Sequence, residues 1–197
     1  MWRVPGLAVW LFAAAPLAAQ WSAGVEVGML KFWGSSIDTS TPGDPTRARP
    51  SPSTTYAVRV QRYFGAAGVG IRLLYSSGGV GVENGSVSVE EKGVLKLAEV
   101  APEASLRVAE PSPGGALRLH AGPVIGRWSP KDVPRRTRVG ARAAISLDWP
   151  LAGRWTGTLE AGVAMSSSVF LNDEVPEGYV LRAMWRRALS AGIKVRL

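Results

Sequence analysis

Ionisable residues recur at alternate positions along several short stretches of this sequence, between apolar or small neighbours. Arg142 and Glu160 are typical, because each lies in a run whose apolar residues repeat at every second position. A period of two is that of a β-strand, whose successive side chains point to opposite faces of a sheet. Charges of both signs on one enclosed face would form ion pairs, and a histidine among carboxylates can also transfer protons. The residues assigned to this polar face are Glu26, Arg59, Arg72, Glu99, Arg107, Arg118, His120, Arg142, Glu160, Arg186 and Lys194.

The elements that position these charges are clearest in a hairpin predicted over residues 138–165. Apolar residues occupy the odd positions from Val139 to Trp149, and the alternation resumes after a short turn and continues to Met165. Soluble sheets place long charged side chains on their solvent face, whereas the second face here is mostly Gly, Ala, Ser and Thr. The hairpin therefore predicts an apolar face toward lipid and a small, polar face toward a narrow lumen.

Composition narrows the class of protein. The chain has 197 residues, no cysteine and a net charge of +8. The absence of cysteine excludes disulfides and thiolate metal sites, and we expect no cofactor. A basic chain can bind nucleic acid or anionic lipid, but no basic run with interleaved aromatic residues is present. We therefore expect no nucleic-acid partner.

The N-terminal stretch has the composition of an export signal. A positive start at Arg3 precedes the apolar run Leu7–Ala19, which is shorter than the roughly 20 residues of a transmembrane helix. No later stretch reaches about 18 consecutive apolar residues, which argues against a helical membrane protein. We predict a signal peptide over residues 1–20 and one exported domain over residues 21–197.

Strand-like segments alternate with turns along the exported part. Eight such segments cover residues 21–33, 54–63, 68–75, 94–108, 117–128, 138–149, 155–170 and 179–197. The connections alternate between long ones (34–53, 76–93, 129–137 and 171–178) and short ones (64–66, 111–115 and 150–154). An even number of strands with long connections on one side only is typical of a transmembrane β-barrel.

The fourth segment breaks the alternation. Leu95 and Leu97 share one parity, whereas Val100 and later apolar residues share the other. One extra residue restores the phase of a strand, so we predict a β-bulge near Ala98 and Glu99.

Aromatic residues sort into two groups that are suited to anchor a barrel at both membrane interfaces. The group next to the short connections is Trp21, Phe64, Trp149 and Trp155. The group next to the long connections is Phe32, Trp33, Tyr75, Trp128, Phe170 and Trp185.

Together these features resemble the small outer-membrane β-barrel family of the OmpA and OmpX type, over residues 21–197. The most specific similarity is the segment Ser190–Leu197, which resembles the signal read by the barrel-assembly machinery. That signal has a polar residue, a glycine two positions later, an apolar residue and a terminal aromatic residue, here replaced by Leu197. The segment Gly122–Gly126 also resembles a strand of this family. The resemblance implies an eight-stranded antiparallel up-and-down transmembrane β-barrel in the outer membrane, assembled by that machinery, and we expect a monomer.

A barrel of eight strands has a lumen only just wide enough for side chains. Because an unpaired charge there costs several kcal/mol, we expect salt bridges to plug the lumen. The expected role is structural or surface-interaction, through long extracellular loops. One alternative is a narrow gated pore in which the pairs rearrange. Another is a soluble exported lipocalin-like barrel that binds an apolar ligand, which would need large apolar residues inside.

The resemblance also raises an enzymatic hypothesis. Some small outer-membrane barrels are lipid A deacylases that use a histidine, a serine two residues further on and a glutamate. His120 is the only histidine of this sequence, and the residue two positions on is Gly122. The nucleophile is absent at that spacing, so we expect no enzymatic activity.

Basic residues in the predicted loops are suited to bind lipopolysaccharide phosphates through paired hydrogen bonds. They are Lys131, Arg135, Arg136 and Arg138, together with Arg47 and Arg49. The alternative interpretation is ordinary solvated loop charge. Outer-membrane lipid and lipopolysaccharide are therefore expected partners.

Overall fold

The computed structural model describes residues 20–38, 47–83, 88–131, 133–171 and 179–197. In these ranges the chain is mostly extended, and it contains no helix of the length and hydropathy that a membrane span requires. The strands are β1 (Gln20–Asp38), β2 (Arg47–Pro50), β3 (Ser53–Phe64), β4 (Ala67–Glu83), β5 (Ser88–Ala109), β6 (Ala116–Pro130), β7 (Arg136–Ala152), β8 (Trp155–Ser166) and β9 (Tyr179–Arg196). The predicted signal peptide, apart from Gln20, lies outside the described residues.

The last strand returns to the first and closes the sheet. β9 pairs with β1 from Ser22 opposite Arg196 to Asp38 opposite Tyr179, with one irregularity after Gly34. β2 continues β3 beyond a short break, because both strands pair with β1 and β4. The sheet is therefore a closed eight-stranded antiparallel up-and-down barrel, as predicted.

The wall of the barrel separates an apolar outer face from a mostly polar interior. On β1, Val25, Val27 and Met29 point outward and are exposed, whereas Glu26 points inward and is buried. On β7, Ile145 points outward between inward neighbours in the same way. A closed barrel leaves no sheet edge unpaired, so an apolar wall of this kind can lie in a bilayer with its backbone hydrogen bonds satisfied.

The two ends of the barrel differ in their connections. Short turns join β3 to β4, β5 to β6 and β7 to β8, and they contain Gly65, Gly114 and Gly153, each with a positive φ that favours glycine. We call this the short-turn end and the opposite end the long-loop end. In outer-membrane barrels the short turns face the periplasm.

The long connections are only partly described. Residues 39–46, 84–87, 132 and 172–178 of the predicted loops lie outside the described residues. Much of the predicted loop 76–93 is strand, because β4 extends to Glu83 and pairs there with Ser88 of β5.

The predicted bulge at Ala98 and Glu99 is wrong. β5 keeps one register with β4 from Leu95 to Leu106, and a register shift against β6 occurs near Arg107 instead. Leu95 and Leu97 point inward on the same face as Glu99, while Lys96 points outward. Between Leu95 and Leu106 the strand is regular, and the character of its two faces changes along its length.

The barrel interior is apolar toward the long-loop end. Phe32 and Trp128 meet there edge to face with ring centroids 5.9 Å apart, and both are buried. Their predicted place in an outer aromatic girdle is therefore wrong. We call this group the inner apolar cluster; its other members are Leu30, Ala57, Leu74, Leu95, Leu97, Val169 and Met184, with Phe170 packed against them.

Other aromatic residues lie on the outer wall near its two ends, as the predicted girdles require. Tyr75 and Trp185 are exposed toward the long-loop end, and Trp33 is half-buried there, 4.1 Å from the guanidinium of Arg187. The exposed aromatic residues at the short-turn end are Trp21, Phe64, Trp149 and Trp155.

Candidate functional site

Arg59 lies in the middle of the interior and contacts carboxylates from three other strands. Its Nη1 is 3.1 Å from Oε1 of Glu26 on β1, and its Nε is 2.9 Å from Oε1 of Glu103 on β5. Its Nη2 is 2.5 Å from Oε2 of Glu160 on β8. The guanidinium presents N–H groups in several directions in one plane, so a single side chain on β3 ties four strands together.

Two further arginines complete this central cluster. Nε and Nη2 of Arg72 are each 3.1 Å from Oε2 of Glu26. Arg142 donates a 2.9 Å hydrogen bond to Glu103 and a second, close one to Glu160. The central cluster therefore pairs three arginines (Arg59, Arg72 and Arg142) with three glutamates (Glu26, Glu103 and Glu160), and its formal charge is zero. Pairing of this kind is what allows charges to remain buried.

His120 borders the central cluster. Its Nε2 lies 2.9 Å from Oγ of Ser146, and its Nδ1 lies 3.6 Å from Oε1 of Glu103. Nε2 of Gln61 is 3.5 Å from the same Nδ1, while Oε1 of Gln61 accepts a 2.6 Å hydrogen bond from the Tyr63 hydroxyl. Tyr63 holds the amide oxygen of Gln61, and the amide nitrogen donates a 3.1 Å hydrogen bond to Oε1 of Glu103. Nδ1 of His120 therefore faces both an amide donor and a carboxylate, and the direction of the Nε2–Ser146 hydrogen bond depends on the tautomer.

Ser146, His120 and Glu103 are the residue types of a hydrolytic triad. In such a triad Nε2 of the histidine must accept the proton of the serine, and Nδ1 must donate to the carboxylate. Ser146 is 1% exposed and His120 is 2% exposed, so the serine hydroxyl does not face an open surface. Sequence reasoning missed this grouping because the serine comes from a neighbouring strand.

A further ion pair lies between the central cluster and the inner apolar cluster. Arg186 on β9 and Glu99 on β5 form a close hydrogen bond and are both buried. Beyond this pair, Leu97 and Met184 occupy the next inward positions of the same strands and belong to the inner apolar cluster. An ionic layer and an apolar layer therefore follow each other along the lumen.

Asp148 organises a second ionic group near the short-turn end. Nζ of Lys194 and Oγ1 of Thr158 each donate to its Oδ1 at 2.8 Å, and Nε of Arg118 is 3.5 Å from its Oδ2. Asp148, Arg118 and Lys194 line a cavity of about 450 Å³ that we call the mouth cavity. Its other charged lining residues are Arg107, Glu110 and Arg196.

The residues assigned to the polar face from the sequence lie in four kinds of environment. Most lie inside, in the central cluster, beside it or around Asp148. Arg107 does not: its side chain is 39% exposed and pairs with Glu110 at 3.4 Å on the rim of the short-turn end. The parity of Arg107 is that of Glu99, but the strand leaves the lumen before reaching it, and the register shift against β6 lies at this point.

Sequence reasoning also overlooked inward polar residues that carry much of the site. Glu103 has the parity of Glu99, and Asp148 and Gln61 occupy the polar faces of their predicted strands, so period two alone would have found them. Glu103 is the most important omission, because it contacts Arg59 and Arg142 together.

The basic loop residues have separate environments. Lys131 and Arg135 are exposed. Arg136 and Arg138 are half-buried on β7, where Arg136 donates a 2.7 Å hydrogen bond to the carbonyl of Val169 and Arg138 donates one of 2.7 Å to Ser168. Of the other two, Arg49 donates a 3.2 Å hydrogen bond to the carbonyl of Phe32, and the Arg47 side chain lies outside the described residues.

The polar interior and apolar exterior overturn the lipocalin alternative. A lipocalin-like barrel needs an apolar ligand cavity inside and a polar surface outside, whereas Arg59 and Arg72 are buried and Val58 and Leu73 are exposed. Among the described residues, no group of three or more histidine, aspartate or glutamate side chains is arranged to hold a metal ion.

Comparisons with known proteins agree with this architecture. No family model and no curated protein matches the sequence. The outer-membrane protein OprG from Pseudomonas aeruginosa has a TM-score of 0.61 at 11% identity, over 91% of this chain and 96% of OprG. Neisserial surface protein A has a TM-score of 0.58 at 11% identity, over 90% of this chain and 97% of its own. At such identities the likeness concerns the fold. With its apolar wall and its ion pairs inside, the chain has the fold of the small OmpA/OmpX-like outer-membrane β-barrels.

Proposed function

We propose that this protein is a closed outer-membrane barrel with a structural or surface-interaction role, carried out by its outer wall and its extracellular loops. The observation that carries the proposal is the set of contacts made by Arg59, which reaches Glu26, Glu103 and Glu160 on three other strands. A side chain that ties four strands across the lumen stabilises the barrel and blocks the path of an ion. The inner apolar cluster adds a second barrier.

Conductance and topology measurements test this proposal. In planar bilayers the purified barrel is expected to give no discrete current steps, and protease added to intact cells is expected to cut only at the long-loop end. Heat-modifiable migration on gels serves as the control that the reconstituted protein is folded. Reproducible current steps from folded wild-type barrel would support the gated-pore alternative and contradict a closed lumen.

We also propose that the Ser146–His120–Glu103 group is structural and that the barrel is not an enzyme. The burial of both His120 and Ser146 supports this, because it leaves the serine hydroxyl away from an open surface. A fluorophosphonate probe is expected to leave Ser146 unlabelled, and lipid A mass spectra from cells with and without the protein should be the same. Labelling that is lost in Ser146→Ala would contradict the proposal.

A glycolipid partner is supported by a groove on the outer wall. Lys31 and Arg187 are cross-strand neighbours, both exposed, and neither has an ion-pair partner among the described residues. They border a groove of about 700 Å³ whose walls include Met29, Val163 and Ile145. Both cations point toward lipid and lie next to Trp33, on the side nearer the middle of the membrane. They are suited to bind phosphates, and the groove is suited to bind an acyl chain. We propose lipopolysaccharide as the occupant.

Native mass spectrometry with lipid A distinguishes this outer-wall contact from a contact at the loops. We expect Lys31→Gln combined with Arg187→Gln to reduce lipid A adducts. The matched control is Arg62→Gln, which removes an outward arginine at the short-turn end. If only Lys131→Gln combined with Arg135→Gln reduces the adducts, the contact lies at the loop residues; equal adducts with dephosphorylated lipid A would rule out phosphate recognition.

A further inference from the structure

Among the described residues, the buried ion-pair groups of the lumen are neutral except for the one near the short-turn end. The central cluster has three arginines and three glutamates, and Arg186 is paired with Glu99. Around Asp148, by contrast, two cations, Arg118 and Lys194, share one carboxylate. All three are less than 10% exposed. This group therefore carries one uncompensated positive charge, and uncompensated charge at a buried position is unfavourable.

The excess charge is localised on Arg118. Asp148 is already engaged by Lys194 and Thr158 at 2.8 Å, and Nε of Arg118 lies at 3.5 Å, the long end of the hydrogen-bond range. Nη1 of Arg118 is buried and has no hydrogen-bond partner among the described residues. The Tyr63 ring lies 4.1 Å from the guanidinium carbon and holds its plane in place without satisfying the N–H groups of Nη1.

The mouth cavity gives this arginine access to a ligand. Its lining carries four cations, Arg107, Arg118, Lys194 and Arg196, against two carboxylates, Glu110 and Asp148, which is a net charge of +2. Its volume of about 450 Å³ is within the range of small-molecule sites. It lies at the short-turn end, so in the outer membrane it faces the periplasm.

We propose that the mouth cavity binds an oxyanion group, a carboxylate or a phosphate, with Arg118 as its principal ligand. A guanidinium matches the geometry of such groups with two parallel N–H···O bonds, which a spherical anion cannot reproduce. Bound there, the oxyanion would supply the missing negative charge and a partner for Nη1. The surface cations on the rim would raise its local concentration. The proposal does not depend on whether the lumen conducts.

The test is thermal unfolding of the full-length barrel in non-ionic detergent. Sodium phosphate or sodium acetate is titrated while sodium chloride keeps the ionic strength constant. We expect a saturable rise in Tm with an oxyanion, because a ligand that binds only the folded state stabilises it. A rise with phosphate alone would identify a phosphate site, and a rise with acetate as well would extend the site to carboxylates. No rise beyond that in chloride would overturn the proposal.

Variants separate the site from general effects of salt. Arg118→Gln is expected to weaken the apparent affinity at least about tenfold, the change expected for the loss of a charge-assisted hydrogen bond. Arg62→Gln, which removes an outward arginine at the same end, should leave the affinity unchanged. Equal affinity in Arg118→Gln and wild type would overturn the proposal. If that variant does not fold, the test is NMR of the wild-type protein with ¹⁵N-labelled arginine. Phosphate must shift the Arg118 side-chain resonances and leave those of Arg62 in place.

Discussion

Arg59 on β3 and Glu160 on β8 are in contact inside the barrel, with Nη2 and Oε2 2.5 Å apart, although β1 and β9 separate their strands around the wall. The two residues are 101 positions apart in the chain. Glu160 also binds Arg142 on the neighbouring strand. Glu160 therefore links strands across the lumen and contributes to the neutrality of the central cluster. Removing it would leave both cations short of a partner.

The first prediction concerns the pair Arg142 and Glu160. Each single leucine variant leaves buried charges unpaired, so we expect each to lower the free energy of unfolding by about 3–5 kcal/mol. The double variant should lose clearly less than the sum, because it removes both charges together. Equilibrium urea unfolding in lipid vesicles measures all four proteins. Additive losses would contradict direct coupling.

The exposed pair Arg107 and Glu110 is the control for that cycle. Its side chains are 39% and 51% exposed and their charged atoms are 3.4 Å apart. Surface pairs contribute about 0–1 kcal/mol, so the same leucine substitutions should have little effect on unfolding.

The second prediction is that the lumen has two barriers in series. Arg59→Ala removes the side chain that crosses the ionic layer, and Trp128→Ala opens the inner apolar cluster. We expect either variant alone to stay silent in planar bilayers, because the other layer still fills the lumen. The double variant is expected to conduct. Current from Arg59→Ala alone would mean that the apolar layer is not a barrier. The control is Arg62→Ala, which removes an outward-pointing side chain of the same strand and should give no current.

The third prediction separates inward from outward tryptophans. Trp128 is 2% exposed inside the barrel, whereas Trp185 is 42% exposed on the wall. Variants that retain only one of them, with phenylalanine at the other tryptophan positions, can be reconstituted into brominated lipid. The fluorescence of Trp185 should be strongly quenched and that of Trp128 much less. Equal quenching of both would place Trp128 on the lipid face, contrary to its contact with Phe32.

The fourth prediction concerns the close approach of β6 to β5 at Gly122. A Cβ added there would lie 2.0 Å from the carbonyl oxygen of Pro102. Gly122→Ala should therefore force the strands apart and lower the free energy of unfolding by about 1–3 kcal/mol. Ala121→Leu adds bulk to the lipid face next to it and should not lower stability; a larger loss in this control than in Gly122→Ala would refute the steric explanation.

The fifth prediction concerns assembly. The Leu197 side chain is 72% exposed, and its amide donates a 3.0 Å hydrogen bond to the carbonyl of Trp21. Leu197→Phe should leave unfolding unchanged, because the side chain packs little, but should speed insertion by purified barrel-assembly machinery. Leu197→Asp should slow it. Equal insertion rates for all three proteins would show that Ser190–Leu197 is not read as a signal.

Period-two patterning determined most of the fold from the sequence alone. In the hairpin around Trp149, the apolar parity faces outward and the polar parity faces inward, as predicted. Local patterning suffices here because each residue of a membrane barrel meets either lipid or lumen, and the strand alternates between them. The alternation of long and short connections then gave the number and order of strands.

The same rule failed at the long-loop end for a physical reason. Near Lys96 and Arg127 the outer face carries cations, and Leu97 and Trp128 turn inward. Parity distinguishes two faces but not which one is inside, and only the closed barrel shows that the apolar face there is the inner one. A change of environment along one strand therefore looked like a bulge.

Only the tertiary structure decided which charges meet. The sequence placed Arg59, Arg142 and Glu160 on one lumenal face, but partners 18 and 101 positions apart are selected by the register and closure of the barrel. The same closure brought Ser146 to His120 and left Nη1 of Arg118 without a hydrogen-bond partner in the described part of the chain. Strand periodicity is a local property and is readable from neighbours, whereas ion pairing depends on distances between strands that the chain does not encode locally.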